Sequence, residues 1–382
     1  MIFPGIETTP TIADLLARHM PVAIGVSGGK DSDVAAFETQ AYLRELGHTG
    51  PLILIHSDLG RIEHKDSLPA CQRLADRLRL PLVVVRREKG DMMDRWKQRW
   101  DDNLERYQNL ECVKLVLPWS TANMRFCTSE MKTAICCRDL VARYPKQTIL
   151  SVSGIRRQES TKRKQALVCS VQPKLESKTL ETQGYNWNPL LAWTLEEVLA
   201  YHKSHGFPLH EAYTKYGMSR VSCAYCILSS LSDLIASATN PENHDIYREM
   251  VDLEILSSFS FQSDRWLGDI APHLLSSVQL AGLSEAKRRN KAREQVEKRI
   301  PSHLRFTRGW PAVMITRSEA VLLSEVRRGV ADIMEIEGVH YLDADAIFAR
   351  YEELMAEKLR KGIVVKTAQI LSVQQSLWEV GA

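Results

Sequence analysis

The stretch Val22–Phe37, VAIGVSGGKDSDVAAF, constrains the fold more than any other part of the chain. The apolar run at its start reads as a short buried strand, the run at its end as an amphipathic helix, and the glycines stand where the one turns sharply into the other. The first amides of a helix have no intrahelical carbonyl to bond, and glycine lets an anion approach the main chain closely. With Lys30 adding a mobile point charge, the junction is suited to hold a phosphate.

Further β-branched-rich runs follow at Leu52–His56, Leu82–Arg86 and Thr148–Gly154, each preceded by a helical pattern. This alternation predicts an α/β fold, a parallel sheet covered by helices. Right-handed crossovers would bring the C-terminal strand ends to one edge, where ligands bind in open α/β folds. SGGKDS, HSDLGRIEH, RREKGD and GIRRQES would then line one crevice. From about Pro241 the strands stop, and ENHDIYREMVDLEILSSF, SEAKRRNKAREQVEKR and DADAIFARYEELMAEKLRKG read as helices. The expected organisation is a nucleotide domain over residues 1–240 and a mainly helical accessory region over 241–382.

At 382 residues and 44% apolar the chain can bury a substantial core. No apolar run approaches the roughly 20 residues that span a bilayer, and MIFPGIETTPTIADLL lacks the basic start and apolar centre of a signal peptide. A cytoplasmic location is expected. There, eight cysteines, with Cys136 beside Cys137 and Cys223-Ala-Tyr-Cys226, point to metal binding or redox chemistry ahead of structural disulfides.

Gly25-Val-Ser-Gly-Gly-Lys30 is one residue short of the Walker A spacing, and Asp31 stands where that motif needs Ser or Thr. An ordinary P-loop kinase or GTPase is disfavoured. Ser27–Ser32, SGGKDS, instead resembles the pyrophosphate loop of the PP-loop ATP pyrophosphatases, which cleave ATP between the α and β phosphates and leave a substrate adenylylated. HSDLGRIEH, with Asp58, sits where that superfamily places adenosine and metal contacts. MRFCTSEMK (Met124–Lys132), GIRRQESTKR (Gly154–Arg163) and YTKYGMSRVSCAYC (Tyr213–Cys226) resemble segments of the phosphoadenosine phosphosulfate (PAPS) reductase branch. The resemblance covers roughly residues 20 to 230.

It implies a Rossmann-like, adenine nucleotide α-hydrolase-like sheet. ATP would be held by Ser27, Gly28, Gly29, Lys30, Asp31, Ser32, Asp58, Arg125 and Lys132. Lys30, Asp31, Arg156 and Arg157 would carry the chemistry, since attack on the α phosphate needs cations around the departing pyrophosphate. Mg2+ is expected as the bridging cation, with Asp31 and Asp58 as its candidate ligands.

PAPS reductases of the usual mechanism use a cysteine in a short Glu-Cys-Gly tail, whereas no cysteine follows Cys226 here and the chain ends SLWEVGA. Cys127, Cys223 and Cys226 remain, on loops or helix starts expected to face the crevice. Three thiolates there would suit a [4Fe–4S] cluster with one open iron, or Cys136, Cys137 or Cys169 would close the site as a fourth ligand. Zinc and plain packing are the alternatives.

ATP activation beside a sulfur-handling centre resembles the ATP pyrophosphatases of DNA phosphorothioation. That implies sulfur transfer to nucleic acid, DNA ahead of tRNA, with a cysteine desulfurase or other modification-system protein as partner. A further copy of the chain is also a candidate partner, and a membrane is not. Lys287–Arg299 and Arg156–Lys164 offer basic surface, with Arg289 and Arg293 one helical turn apart and Arg288 to one side. The alternatives are a sulfonucleotide (PAPS or adenosine phosphosulfate) reductase-like enzyme and a regulatory accessory partner of a ParB-like protein.

Overall fold

A computed structural model describes residues 3–263, 265–306 and 309–361. The C-terminal SLWEVGA lies outside the described residues. The chain divides into two compact units, Met1–Arg95 with Ser120–Arg248, and Trp96–Trp119 with the chain from Glu249 onward. Where the sequence suggests one cut after residue 240, the division is therefore discontinuous.

The first unit is built on six strands, β1 (Val22–Gly25), β2 (Leu52–Asp58), β3 (Leu82–Arg86), β4 (Thr148–Ser153), β5 (Cys169–Val171) and β6 (Gln183–Trp187), in the order β3-β2-β1-β4-β6-β5. All neighbours pair in parallel except β5, which runs antiparallel to β6 at the edge. The apolar runs are continuous because both faces are covered. Val22 and Ile24 share one buried cluster with Leu54, Leu150 and Val152, while Ala23 joins Ile53, Ile55 and Ile149 in another.

Helices α1 (Pro10–Ala17), α2 (Lys30–Glu45) and α3 (Ser67–Leu78) supply Ile12, Ala36 and Leu74 to the first cluster. After α4 (Met92–Gln108), helix α5 (Ala134–Arg143) supplies Ile135 and Leu140 to the second. Helix α6 (Leu195–His205) opens with a Thr194/Glu197 capping box and ends on Gly206 in the left-handed region. Chain direction reverses between the β1–β2 and β1–β4 connections, so β1 and β4 flank the topological switch point.

The second unit is helical among its described residues, with α7 (Ser277–Glu297), α8 (Arg317–Met334) and α9 (Ala344–Arg360). The segment 96–119 belongs to it because its tryptophans pack there. Trp96 and Trp119 meet each other and Phe261 edge-on, and Trp119 Nε1 donates to the Phe259 carbonyl at 3.2 Å. Arg327, fully buried, donates to the carbonyls of Tyr107, Gln108, His340 and Tyr341. No helix among the described residues is long and apolar enough to cross a membrane.

Candidate functional site

The loop between β1 and α2 is shaped by its own polar atoms. Ser32 Oγ donates to the Gly29 carbonyl at 2.7 Å and accepts from Ser27 N at 3.4 Å, which folds Ser27–Ser32 around the start of the helix. Gly28 has φ +71°, and a Cβ there would lie 3.0 Å from the Ala70 Cβ, 3.1 Å from the Ser67 carbonyl oxygen and 3.2 Å from the His210 ring. Glycine is needed at this position for its conformation and for space. Lys30 is 5% exposed, with its ammonium 4.9 Å from the Tyr213 ring centre, and its carbonyl oxygen is 3.0 Å from His202 Nε2.

Asp31 is held from both sides, Oδ1 at 2.5 Å from Arg156 Nε and Oδ2 at 3.5 Å from Lys30 Nζ. Gly154 makes this possible, since a Cβ there would come within 2.4 Å of the Asp31 carbonyl oxygen. Arg156 is 4% exposed and also donates to Gln158, so it positions Asp31. Arg157 is half-buried on Glu7 at 3.0 Å. Asp58 accepts from Arg86 Nε at 2.6 Å and from Gly60 N at 2.7 Å. Both carboxylates considered for Mg2+ are thus engaged by protein donors. Arg125 is exposed at the start of the short helix Phe126–Thr128.

A cleft of about 280 Å³ opens at the C-terminal strand ends, lined by Gly25–Ser27, Ile55–Ser57 and Ser151–Ser153, with Glu63, Lys132 and Cys136. Of the expected nucleotide contacts, it brings Ser27 and Lys132 together. His56 at its floor is 1% exposed, Nδ1 at 3.0 Å from the Val26 carbonyl and Nε2 at 3.2 Å from Glu63. Burial works against its charge, yet the Cys71 sulfur and the Glu63 carboxylate raise its pKa to about 10. Asp33 lies buried below the loop. Desolvation pushes its carboxyl up to about 8, against the hydrogen bond from Ser32.

Burial disfavours the charge of Lys132, but the negative charge that Cys223, Glu63, Cys226 and Cys127 can carry raises its pKa. The backbone of Cys223 pairs with that of Glu63, and Ala224 N donates to the Ile62 carbonyl at 2.8 Å. Burial holds the Cys136 thiol up to about 12 and the Cys137 thiol to about 11. No group of three or more His, Cys, Asp and Glu side chains among the described residues is gathered to hold a metal ion. Cys226 Sγ is approached by Leu228 N at 3.5 Å and Arg220 Nη2 at 3.8 Å. N–H donors to a sulfur are also found around metal-bound thiolates, so Cys127, Cys223 and Cys226 stay the candidate ligands for an iron–sulfur or zinc centre.

The basic helix expected to face nucleic acid is largely self-neutralised. Arg288 and Arg289 bond Glu285, Arg289 reaches Glu335 at 2.7 Å, and Lys287 reaches Asp269 at 2.6 Å. Arg293, expected beside Arg289 on the outer face, is 1% exposed and lies 3.5 Å over the Phe259 ring. A buried guanidinium meets no phosphate.

Sequence reasoning missed His56, Glu63 and His210 as site residues, while Tyr213 opens the quoted Tyr213–Cys226 segment. His56 and Glu63 stand in the quoted HSDLGRIEH, where a histidine closing an apolar strand is the one local signal.

A comparison with curated proteins gives no match. Among solved structures, a phosphoadenylyl-sulfate (PAPS) reductase from Candida auris in its phosphate complex is 14% identical, with 57% of this chain and 97% of that chain covered at a TM-score of 0.34. The U34-tRNA thiolase NcsA from Methanococcus maripaludis, with its [4Fe-4S] cluster, is 16% identical, with 73% and 75% covered at a TM-score of 0.36. Residues 21–229 match the phosphoadenosine phosphosulfate reductase domain. That span begins one residue before β1 and ends three residues after Cys226, so the pyrophosphate-type loop, the cleft and the cysteine segment all fall inside it, and the chain belongs to the phosphoadenosine phosphosulfate reductase domain family, in the PAPS reductase-like branch of the PP-loop fold.

Proposed function

We propose that the protein is an ATP pyrophosphatase that adenylylates an acceptor for sulfur transfer, with a nucleic acid as the acceptor. The observation that carries this reading is the Ser27–Ser32 loop, wrapped onto the start of α2 with Lys30 beside it and the cleft of strand ends adjoining at Ser27. An acceptor oxygen attacks the α phosphorus, the bond to the bridging oxygen breaks, and pyrophosphate leaves. A sulfur nucleophile then displaces AMP. Lys30 and the helix-terminal amides stabilise the departing charge, Arg156 holds Asp31 in place, and the adenosine lies along the strand ends.

For the acceptor, Lys162 and Lys164 are exposed on the short helix Thr161–Lys164 that follows β4. They replace the α7 arginines as the basic surface of this reading. The test supplies ATP as its magnesium complex with DNA, tRNA or a sulfonucleotide and separates the products. AMP and pyrophosphate, formed faster with one nucleic acid, support the proposal. ADP and phosphate refute it, and sulfite released from PAPS without ATP identifies a reductase instead.

A further inference from the structure

Tyr213 touches the anion loop with its ring and the approach to Cys223 with its hydroxyl. The ring centre lies 4.9 Å from the Lys30 ammonium, which is also 3.5 Å from the Asp31 carboxylate. The hydroxyl accepts from Val221 N at 3.1 Å, and a Cβ at Gly29 would lie 3.7 Å from the Val221 Cβ and 3.8 Å from that same oxygen. The stretch from Gly217 to Ser222 has neither helix nor strand and is held by separate bonds. Met218 N donates to the Ala212 carbonyl at 2.8 Å, Ser219 N and Oγ donate to the buried Asp233 at 2.7 and 2.8 Å, and Val221 N donates to Tyr213. The next residue, Cys223, pairs with Glu63, which lines the cleft. The backbone of the anion loop is braced elsewhere, by His202 at the Lys30 carbonyl and by the His210 ring beside Gly28. Tyr213 therefore bears on the Lys30 ammonium and on Val221 while other residues hold the loop itself.

Resting on the reading that this loop takes the pyrophosphate end of ATP, we propose that Tyr213 is a positioning residue that couples the loop to the cysteine segment. Its ring preorganises the Lys30 ammonium, and its hydroxyl makes the stretch leading to Cys223 respond to what the loop holds. A cation over an aromatic face is attracted by the ring quadrupole, so a flexible lysine loses fewer conformations when its anion arrives. An anion that takes up Lys30 and the loop amides also immobilises the ring that the ammonium faces. The bond from Val221 N to the hydroxyl then opens less often, and irregular chain held by a few separate bonds is where such a change is felt.

The experiment compares the full chain with its Tyr213→Phe and Tyr213→Leu variants. Pyrophosphate release is followed at varied ATP, supplied as the magnesium complex with DNA or tRNA, and hydrogen exchange of the peptide spanning Tyr213–Cys226 is read with and without inorganic pyrophosphate. Tyr213→Leu should lower kcat about 10-fold with KM altered less than about 3-fold, the scale of a desolvated cation–π contact. Tyr213→Phe keeps the ring and should restore kcat to within about 2-fold of wild type. Inorganic pyrophosphate should slow exchange in this peptide several-fold in wild type, and that response should vanish in both variants. A residue that only supported the fold would give matching kcat losses in the two variants. Such matching losses, an unchanged kcat in Tyr213→Leu, or an exchange response that survives in Tyr213→Phe overturns the proposal while the pyrophosphatase reading stands. Absence of both pyrophosphate release and an exchange response in wild type overturns that reading and the proposal together.

Discussion

Arg156 Nε lies 2.5 Å from Asp31 Oδ1, and this contact joins the loop after β4 to the first turn of α2 across the switch point of the sheet. A buried guanidinium is thereby tied to the residue that follows Lys30. Removing one partner of such a pair leaves the other charge poorly compensated, which costs more than the pair itself contributes. Arg156→Ala should lower stability by about 3 kcal/mol, read as a fall in the urea midpoint. Pairing it with Asp31→Asn should restore part of the loss, and simple addition of the two single effects would show that the contact is not energetically coupled.

Lys30→Ala tests the departing-group role directly. Loss of one preorganised charge at a transition state typically costs about 100- to 1000-fold in turnover. Pyrophosphate release should fall by that factor while circular dichroism still reports a folded chain, with the urea midpoint lowered by the loss of the Asp31 partner. Unaltered turnover would remove Lys30 from the chemistry.

Gly28→Ala should act on the loop through geometry alone. The position has φ +71°, and the added methyl would press on Ala70, Ser67 and His210. Strain and contact together should cost about 1–3 kcal/mol, and nucleotide affinity should fall more steeply than stability does. Calorimetry with ATP beside a thermal melt separates the two effects.

The pH dependence of stability should carry a signature of His64. This histidine is 3% exposed, and burial, helped by His210 and opposed by Asp66, lowers its pKa to about 4. Between pH of about 6.5 and 4 the unfolded chain binds a proton there that the folded chain does not, so stability falls on acidification across that window, by at most about 3 kcal/mol. Asp33 works in the opposite sense, its pKa raised to about 8 giving the folded chain the extra proton across the whole of that window. The quantity to read is therefore the difference between wild type and His64→Gln, which should narrow as pH drops from 7 to 4.5. Parallel acid limbs would contradict the assignment.

Four strands and the anion loop were legible because their signals are local. Val22–Gly25, Leu52–Asp58, Leu82–Arg86 and Thr148–Ser153 begin as apolar runs, and Gly28 and Gly29 follow the first of them within four residues. Strands β5 and β6 were not legible. Cys169–Val171 is three residues long, and QGYNW has no β-branched residue and gains its place by pairing with β4. The site was half legible for the same reason. Lys30 declares itself by its neighbours in sequence, whereas His56 takes its position from Val26 and Glu63, and Arg293 from Phe259. A charged run such as KRRNKAREQVEKR carries no sign of which arginine turns inward.

The excursion of the chain from Trp96 to Trp119 bears on how such a protein can be shortened in the laboratory or by evolution. A chain stopped at residue 240 would keep Trp96, Trp100 and Trp119 but lose Phe259 and Phe261, against which they pack, and Arg327, which binds the carbonyls of Tyr107 and Gln108. Three large indoles would be left without cover, a recipe for aggregation. Detaching the nucleotide-binding unit as a working module takes two edits in the gene, a stop after the last of its residues and a short bridge in place of codons 96 to 119.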